Sequence, residues 1–403
     1  MQDDEVERPP RDAPLRILYH HRIGSKDGQV VHIESLIAAL RRVGHELCVV
    51  SPPAFAKTDF GSQSSSLAQL KRLLPRAGYE LLEICYNLPV LWRLERVRRR
   101  FRPDLIYERY NLFVMAGVLL ARLHRTPIFL EVNAPLARER AAFGGLAFAR
   151  MAAWLERCTW RAADLVLPVS QVLAEIVRQA GVPPERIVVI PNGIDEEDFR
   201  SPDSTDAKRD LGLQGKTVLG FIGFVRDWHG LDGVLDLLAD PRCPPDLHLL
   251  VVGDGPALPG LKSRAQRLGL LARIAFAGLV DRDGLARHIA AFDIALQPKA
   301  VHYASPLKIF EYMAAGKAIV APDQANIREI LVDGQSARLF APGDDAAFRE
   351  AVLGLAREAP LRERLGVGAR RTILERGYTW ADNARRISAL HRRLRESRRE
   401  AAR

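Results

Sequence analysis

The residue types best suited to chemistry lie in one stretch, Ser305-Pro-Leu-Lys308-Ile-Phe-Glu311-Tyr-Met-Ala-Ala-Gly316. A loop brings Ser305 and Lys308 to the start of a short helix. That helix carries Glu311 and stops at Gly316, and the apolar run from Ala318 to Ala321 reads as a buried strand. A helix N-terminus offers free N–H groups and the positive end of its dipole to an anion. Lys308 adds a point charge, and Glu311 can accept hydrogen bonds from hydroxyls. The set suits the phosphates and hydroxyls of a phosphorylated sugar. An ordinary loop-helix-strand unit with a surface Lys and Glu would read the same way, so the surroundings must decide.

Other polar groups fall where strands end. Gly24 and Gly28 follow the strand Leu15–Tyr19 and precede a helix, where glycine lets backbone N–H groups approach a ligand. Gly253-Asp-Gly255-Pro256 follows the strand Leu247–Val252, but residue 258 is Leu, so a dinucleotide fingerprint is absent. Gly223-Phe-Val-Arg226-Asp-Trp-His229-Gly230 ends another strand. Arg226 can fork onto two phosphate oxygens, and His229 either joins it or caps the next helix. In the first half, Glu108-Arg109 and Glu131-Val-Asn133 end strands and are expected to face a cleft, with a local salt bridge as the alternative for Glu108 and Arg109.

These residues must be positioned by an alternation of β-rich runs and helical stretches. Strands are expected at 15–19, 46–50, 104–107, 128–132, 165–169 and 187–190, then at 217–222, 247–252, 273–276, 294–296 and 318–320. A helix is expected from Val30 to Val43. Such alternation implies parallel sheets, giving two doubly wound Rossmann-like α/β domains facing a cleft. A polar stretch over 192–214 marks the hinge. The expected division is a disordered N-terminus over 1–13, an acceptor-side domain over 14–192 and a second domain over 193–378. A basic helix over 379–403 is expected to pack back on the first domain.

The 403-residue length suits two domains. Four scattered cysteines lack metal-ligand spacing and fit a reducing compartment, and no metal site is expected. The first eleven residues have no apolar signal core, and no apolar run reaches the ~20 residues of a membrane span. The net charge of +10 is carried by two segments, residues 71–102 at +6 and residues 384–403 at +6. Local anionic surfaces, rather than nucleic acid, are therefore the expected partners. Between residues 79 and 102, Leu81, Cys85, Leu88 and Trp92 share one helical stripe, Arg93, Arg96 and Arg100 another, and Pro89 should interrupt the helix. A basic amphipathic helix of this kind suits an anionic membrane surface, which places the protein in the cytoplasm, peripheral on the inner face of the membrane. The alternative is a helix packed on its own domain with a solvated arginine face.

Taken in order, Pro191-Asn-Gly-Ile-Asp195, Leu250-Val-Val-Gly-Asp-Gly-Pro256, Arg273-Ile-Ala-Phe-Ala-Gly278, Ala291-Phe-Asp-Ile-Ala-Leu-Gln-Pro298 and the 305–322 stretch resemble the family-four retaining glycosyltransferases of GT-B fold. The likeness spans roughly residues 15–380. It implies a nucleotide-diphosphate sugar as substrate, without a further cofactor, bound mainly by the second domain. A glycan or lipid-linked acceptor would bind mainly to the first, and transfer would retain the anomeric configuration. Glu311 matches the second acid of the family's Glu-x7-Glu, while Tyr303 stands at the first. Phe224 and His229 stand where many members carry Arg and Lys, and a common first-domain His maps near Asn133. The resemblance thus implies Glu311, Lys308 and Arg226 as catalytic groups, with the two cations compensating for the departures. Gly24, Gly28, Gly223, His229, Gly253, Gly255, Tyr303, Ser305, Pro306 and Leu307 would contact the donor. Glu108, Arg109, Glu131 and Asn133 would face the acceptor. Charge on the departing diphosphate would be stabilised by fixed cations and helix N-termini. The competing reading is a catalytically weak sugar-nucleotide-binding partner in polysaccharide assembly. An epimerase, a phosphorylase or a nicotinamide oxidoreductase is disfavoured by the residues present.

Overall fold

The computed structural model describes residues 13–23, 28–52, 74–199 and 203–401. Gly24 and the first part of the basic segment lie outside them. Runs rich in Val, Ile and Leu form strands buried on both faces, as parallel sheets require. The first sheet is parallel throughout, in the order β2-β1-β3-β4-β5. Its strands are β1 (Arg16–His20), β2 (Glu46–Val50), β3 (Leu105–Arg109), β4 (Ile128–Val132) and β5 (Leu165–Pro168). The second is a parallel six-stranded sheet in the order β11-β10-β9-β6-β7-β8. It comprises β6 (Thr217–Ile222), β7 (Leu247–Val252), β8 (Ile274–Gly278), β9 (Ile294–Leu296), β10 (Ala318–Pro322) and β11 (Arg338–Phe340). Both are doubly wound α/β units, each with helices on two faces.

One expected strand is absent and one unexpected strand appears. Residues 187–190 are not a strand. Val188 N donates to Val166 O and Ile190 N to Pro168 O, leaving a single parallel bridge between Val166 and Ile187. Pro168 has no N–H to return the next ladder bond, so pairing stops there. β11 was not anticipated, because three residues with only the last one buried carry no readable period. The helix break near Pro89 is present. One helix spans Arg76–Cys85 and the next Asn87–Phe101. A proline ring at 89 would clash with the carbonyl four residues earlier, that of Cys85, had the helix run through.

The last helix, Trp380–Glu400, crosses back to the first sheet. Trp380, Ala384 and Ile387 enter the core formed by Ile17, Ile33 and Leu36. His45 Nε2 and Ser388 Oγ lie 2.6 Å apart, and Asn383 Nδ2 donates to Pro191 O at 2.8 Å. The segment Pro191-Asn-Gly-Ile-Asp195 is the crossing point. A side chain on Gly193 would meet Thr379 and Trp380 backbone atoms at 2.8 Å, so only glycine admits the second strand of chain. Arg42 of the first helix (Gly28–Arg42) reaches Asp195 at 2.8 Å. Because Trp380 is buried in the first-domain core, Trp380→Ala is expected to cost about 3–5 kcal/mol and to lower the thermal unfolding midpoint clearly. A midpoint shifted by less than a degree would contradict this packing role.

Candidate active site

A cleft of about 520 Å³ opens between the two sheets. It sits at the point in the second sheet where the winding reverses. β6 and β9 are neighbours there, and their outgoing chains diverge and leave a crevice at the strand ends. The segment after β6 supplies Gly223, Phe224, Arg226, Trp228 and His229, and the segment after β9 supplies Gln297, Lys299 and Ala300. The end of β7 adds Gly253 and Asp254. β8 slips register beside Val252, where one extra residue turns the chain so that Leu279 and Val280 face the same space. Pro306, Leu307, Lys308 and Glu311 enter from the helix Leu307–Ala314.

Gly253 explains how two loops fit together here. Its φ is +124°, and a Cβ there would lie 2.2 Å from Gly223 O. Val225 N donates to Asp254 O at 2.8 Å, joining the two loops. Gly255 serves this same close approach. A Cβ on it would lie 2.2 Å from Val225 O, and it does not line the cleft. The expected donor contact of Gly255 is therefore corrected to a packing role.

The electrostatics converge on Lys308. Its Nζ is buried with no hydrogen-bond partner among the described residues and stands 3.8 Å from the centre of the Phe221 ring. A ring face holds a cation but accepts no conventional hydrogen bond, so three donors remain unanswered. Burial pulls Lys308 down from the usual lysine range to about 7, against the favourable charge of Glu311. Burial likewise pushes the Glu311 carboxyl up to about 7, opposed by Lys308 and Arg282. His229 lies beside the same Phe221 ring at 5.3 Å. Burial first, then the charges of Lys308 and Arg226, lower it to about 3, so it is neutral at physiological pH. Its Nδ1 accepts from Arg226 N at 3.2 Å, which leaves the proton on Nε2 as a donor. The Arg226 guanidinium lies 4.8 Å from the centres of both the Phe224 and Trp228 rings, which hold it at the cleft rim. One cleft thus collects a buried amine, a neutral imidazole donor, a guanidinium and a carboxyl.

Several expected site residues lie elsewhere. Ser305 faces the domain junction, where its carbonyl accepts from Asn192 Nδ2 at 2.6 Å, instead of lining the cleft. Tyr303 packs with the first-domain core, and its hydroxyl donates to Glu139. Gly28 opens the first helix, whose Gln29 and Val31 line the cleft instead. Glu108, Arg109 and Glu131 are buried inside the first domain, which corrects the expectation that they meet an acceptor. His20 Nδ1 lies 2.6 Å from Glu108. Glu131 accepts from Tyr107, Arg109 and Asn133, and His32 Nε2 lies 3.1 Å from it. Burial alone would raise the Glu131 carboxyl. His32 and Arg109 nevertheless hold it well below the usual range, as befits a structural hub. Strand-end position located these residues, but β3 and β4 are covered on both faces, so their polar side chains are enclosed whichever way the pleat sends them.

Two family profiles divide the chain. Glycosyltransferase Family 4 matches residues 26–198, and Glycosyl transferases group 1 matches residues 216–358. The chain belongs to this glycosyltransferase family. The phosphatidyl-myo-inositol mannosyltransferase of Mycobacterium leprae is 32% identical over 205 residues, 51% of this chain and 53% of that protein. The chain thus spans about half the length of that relative. The GDP-mannose-dependent alpha-mannosyltransferase of Mycobacterium tuberculosis is 24% identical over 86% of this chain and 88% of its own. Among solved structures, HepE of Anabaena in complex with UDP-glucose superposes with a TM-score of 0.72 at 21% identity, over 93% of this chain and 99% of its own. Sucrose-phosphate synthase from Thermosynechococcus elongatus gives 0.75 at 18%, over 95% and 100%. These structural likenesses show a shared GT-B fold.

Sequence reasoning missed Gln297 and Lys299, although both follow the apolar run Ile294–Leu296 and strand carboxyl ends are where ligands bind. Glu139 had no sequence signal, because only the meeting of two domains places it at the cleft. Replacing Lys308 or Arg226 by Ala is expected to weaken binding of a nucleoside diphosphate at least tenfold, about 1.4 kcal/mol, in calorimetry. Affinity equal to the parent's would remove that residue from the site.

Proposed function

We propose that the protein transfers a sugar from a nucleotide-diphosphate sugar to a glycan or lipid-linked acceptor, with retention at the anomeric carbon. The observation that carries this reading is the orphaned, buried Lys308 amine in a cleft shared with Arg226, His229 and Glu311. A buried amine without acceptors is costly unless a ligand supplies them. A diphosphate does so. As the anomeric bond breaks, negative charge grows on the leaving diphosphate, and Lys308, the His229 Nε2–H and Arg226 are fixed where that charge can be met without reorganisation. Glu311 is placed to accept from ribose or sugar hydroxyls. The names of the relatives support a sugar donor of the GDP-mannose or UDP-glucose kind and a lipid-linked acceptor class.

The decisive experiment incubates the protein with nucleotide sugars and candidate acceptors and reads the anomeric configuration of the product by NMR. Transfer with retention is expected. Inverted product would overturn the stereochemical part, and donor binding without transfer or hydrolysis would reduce the protein to a binding partner.

The lowered Lys308 gives a pH test. Free Lys308 titrates near 7, and a bound diphosphate favours its charged form, so binding at about pH 8 must draw in a proton. Below pH 7 the amine is already charged, so affinity should fall as pH rises above that value. Calorimetry in buffers of different ionisation enthalpy should show proton uptake in the parent protein and less in Lys308→Met. Equal uptake in both would assign the proton elsewhere.

The acceptor reading extends to the surface. Leu81, Leu82, Leu88 and Trp92 are 47–72% exposed on the two helices from 76 to 101, together with exposed Arg93, Arg96 and Arg100. The apolar stripe is thus not packed on its own domain, which favours seating on an anionic membrane. Among the described residues no helix is long and apolar enough to cross one. Flotation with anionic liposomes is expected to carry the protein, less so at high salt. Absence of salt-sensitive flotation would sink the membrane role.

A further inference from the structure

Of the first domain's described residues, three line the cleft, Gln29, Val31 and Glu139, and Glu139 is the ionisable one. It stands in the first turn of the helix Leu136–Phe143, where the helix dipole favours a carboxylate. Its Oε2 accepts from the Tyr303 hydroxyl at 3.0 Å, a contact between residues 164 positions apart that joins the two domains. Among the described residues, Oε1 has no hydrogen-bond donor. Tyr303 is held firmly. Its ring packs in the first-domain core, and its carbonyl accepts from Ser170 Oγ at 2.7 Å. Asn326 Nδ2 donates to the carbonyls of Val301 and Ala304 on either side. Burial, then the charge of Glu139, raises the phenol's pKa above the usual tyrosine value, so it stays a protonated donor. Five residues further on, Lys308 enters the same cleft.

We infer that Glu139, supplied by the first domain and oriented by Tyr303 of the second, binds a hydroxyl of the sugar being transferred. This rests on the nucleotide-sugar reading above. A carboxylate repels a diphosphate, so Glu139 belongs on the sugar side of the ligand, away from the phosphates that Lys308 and Arg226 attract. Tyr303 satisfies one oxygen and fixes the plane of the group. The other is left to accept from a hydroxyl in the cleft, and a fixed charged acceptor gives a strong hydrogen bond to a neutral donor. Tyr303 is a positioning residue in this scheme. It touches the carboxylate and not the sugar. Because the contact spans both domains, the sugar-facing oxygen is in place only when the domains stand in this arrangement.

The test compares two ligands on three proteins. The ligands are a nucleotide sugar that binds the parent and the same nucleoside diphosphate without its sugar. The proteins are the parent, Glu139→Gln and Tyr303→Phe. Glu139→Gln keeps an oxygen to accept from Tyr303 but loses the charge. It is expected to weaken the nucleotide sugar about tenfold while leaving the diphosphate within about twofold. Tyr303→Phe should weaken the nucleotide sugar in the same selective way by a smaller factor and raise KM more than it lowers kcat. If Glu139→Gln leaves the ratio of the two affinities as in the parent, Glu139 is only a strut between domains and the inference fails. If both variants lose both ligands in parallel with a lowered unfolding midpoint, the pair is structural and the inference fails likewise. A parent that binds neither ligand overturns the nucleotide-sugar reading itself.

Discussion

A buried Lys308 amine with no acceptor among the described residues is the constraint that organises this molecule. Lys308 rests on the face of Phe221, and Phe221 is a fully enclosed residue of β6. The rest of the cleft arranges itself around that amine. His229 is held neutral beside it, Gly223 and Gly253 bring two loops close enough to enclose it, and the helix Leu307–Ala314 carries it in. Folding alone does not stabilise such a group, since an unpaired buried donor costs free energy. Its persistence makes sense as preorganisation for an anion, which would meet unanswered donors already in place.

That helix is in turn suspended from the first domain. The loop ahead of it is held by Ser170 at Tyr303, by Asn192 at Ser305 and by Glu139 at the Tyr303 hydroxyl. Across the same junction, Glu329 accepts from Gln171 N at 2.8 Å, at the start of the helix Gln171–Gln179. The residues that hold the amine are therefore coupled to the relative placement of the two sheets. The last helix reinforces this by returning to the first core after the second domain is complete. A motif such as Pro191-Asn-Gly-Ile-Asp195 then has a mechanical meaning. Asn192 pins the loop ahead of the Lys308 helix, Gly193 admits the returning chain, and Asp195 pairs with Arg42.

Much of this was legible in the amino-acid sequence. Ten of the eleven strands follow from apolar runs, because parallel strands buried on both faces must be apolar almost continuously. β11 was too short to show a period, and residues 187–190 looked like a strand because the effect of Pro168 on a partner's ladder is not local. In the site, Gly223, Arg226, His229, Gly253, Pro306, Leu307, Lys308 and Glu311 come together in one cleft, as their positions at strand ends and a helix start suggested. Glu108, Arg109 and Glu131 satisfied the same rule and yet turned inward.

By itself, then, the sequence determined ten of the eleven described strands and the start and stop of the Lys308 helix, because those depend on local periodicity and on residues with restricted or special backbone freedom. It also determined the family, through motifs kept in order. Tertiary structure alone decided which polar groups face the cleft. Glu131 is absorbed by Tyr107, Arg109 and Asn133, whereas Glu139, unremarkable as a letter, is presented to the cleft by a tyrosine from the other domain. A side chain's role at such a site depends on whether the fold answers its hydrogen bonds elsewhere, and that is settled only when distant segments meet.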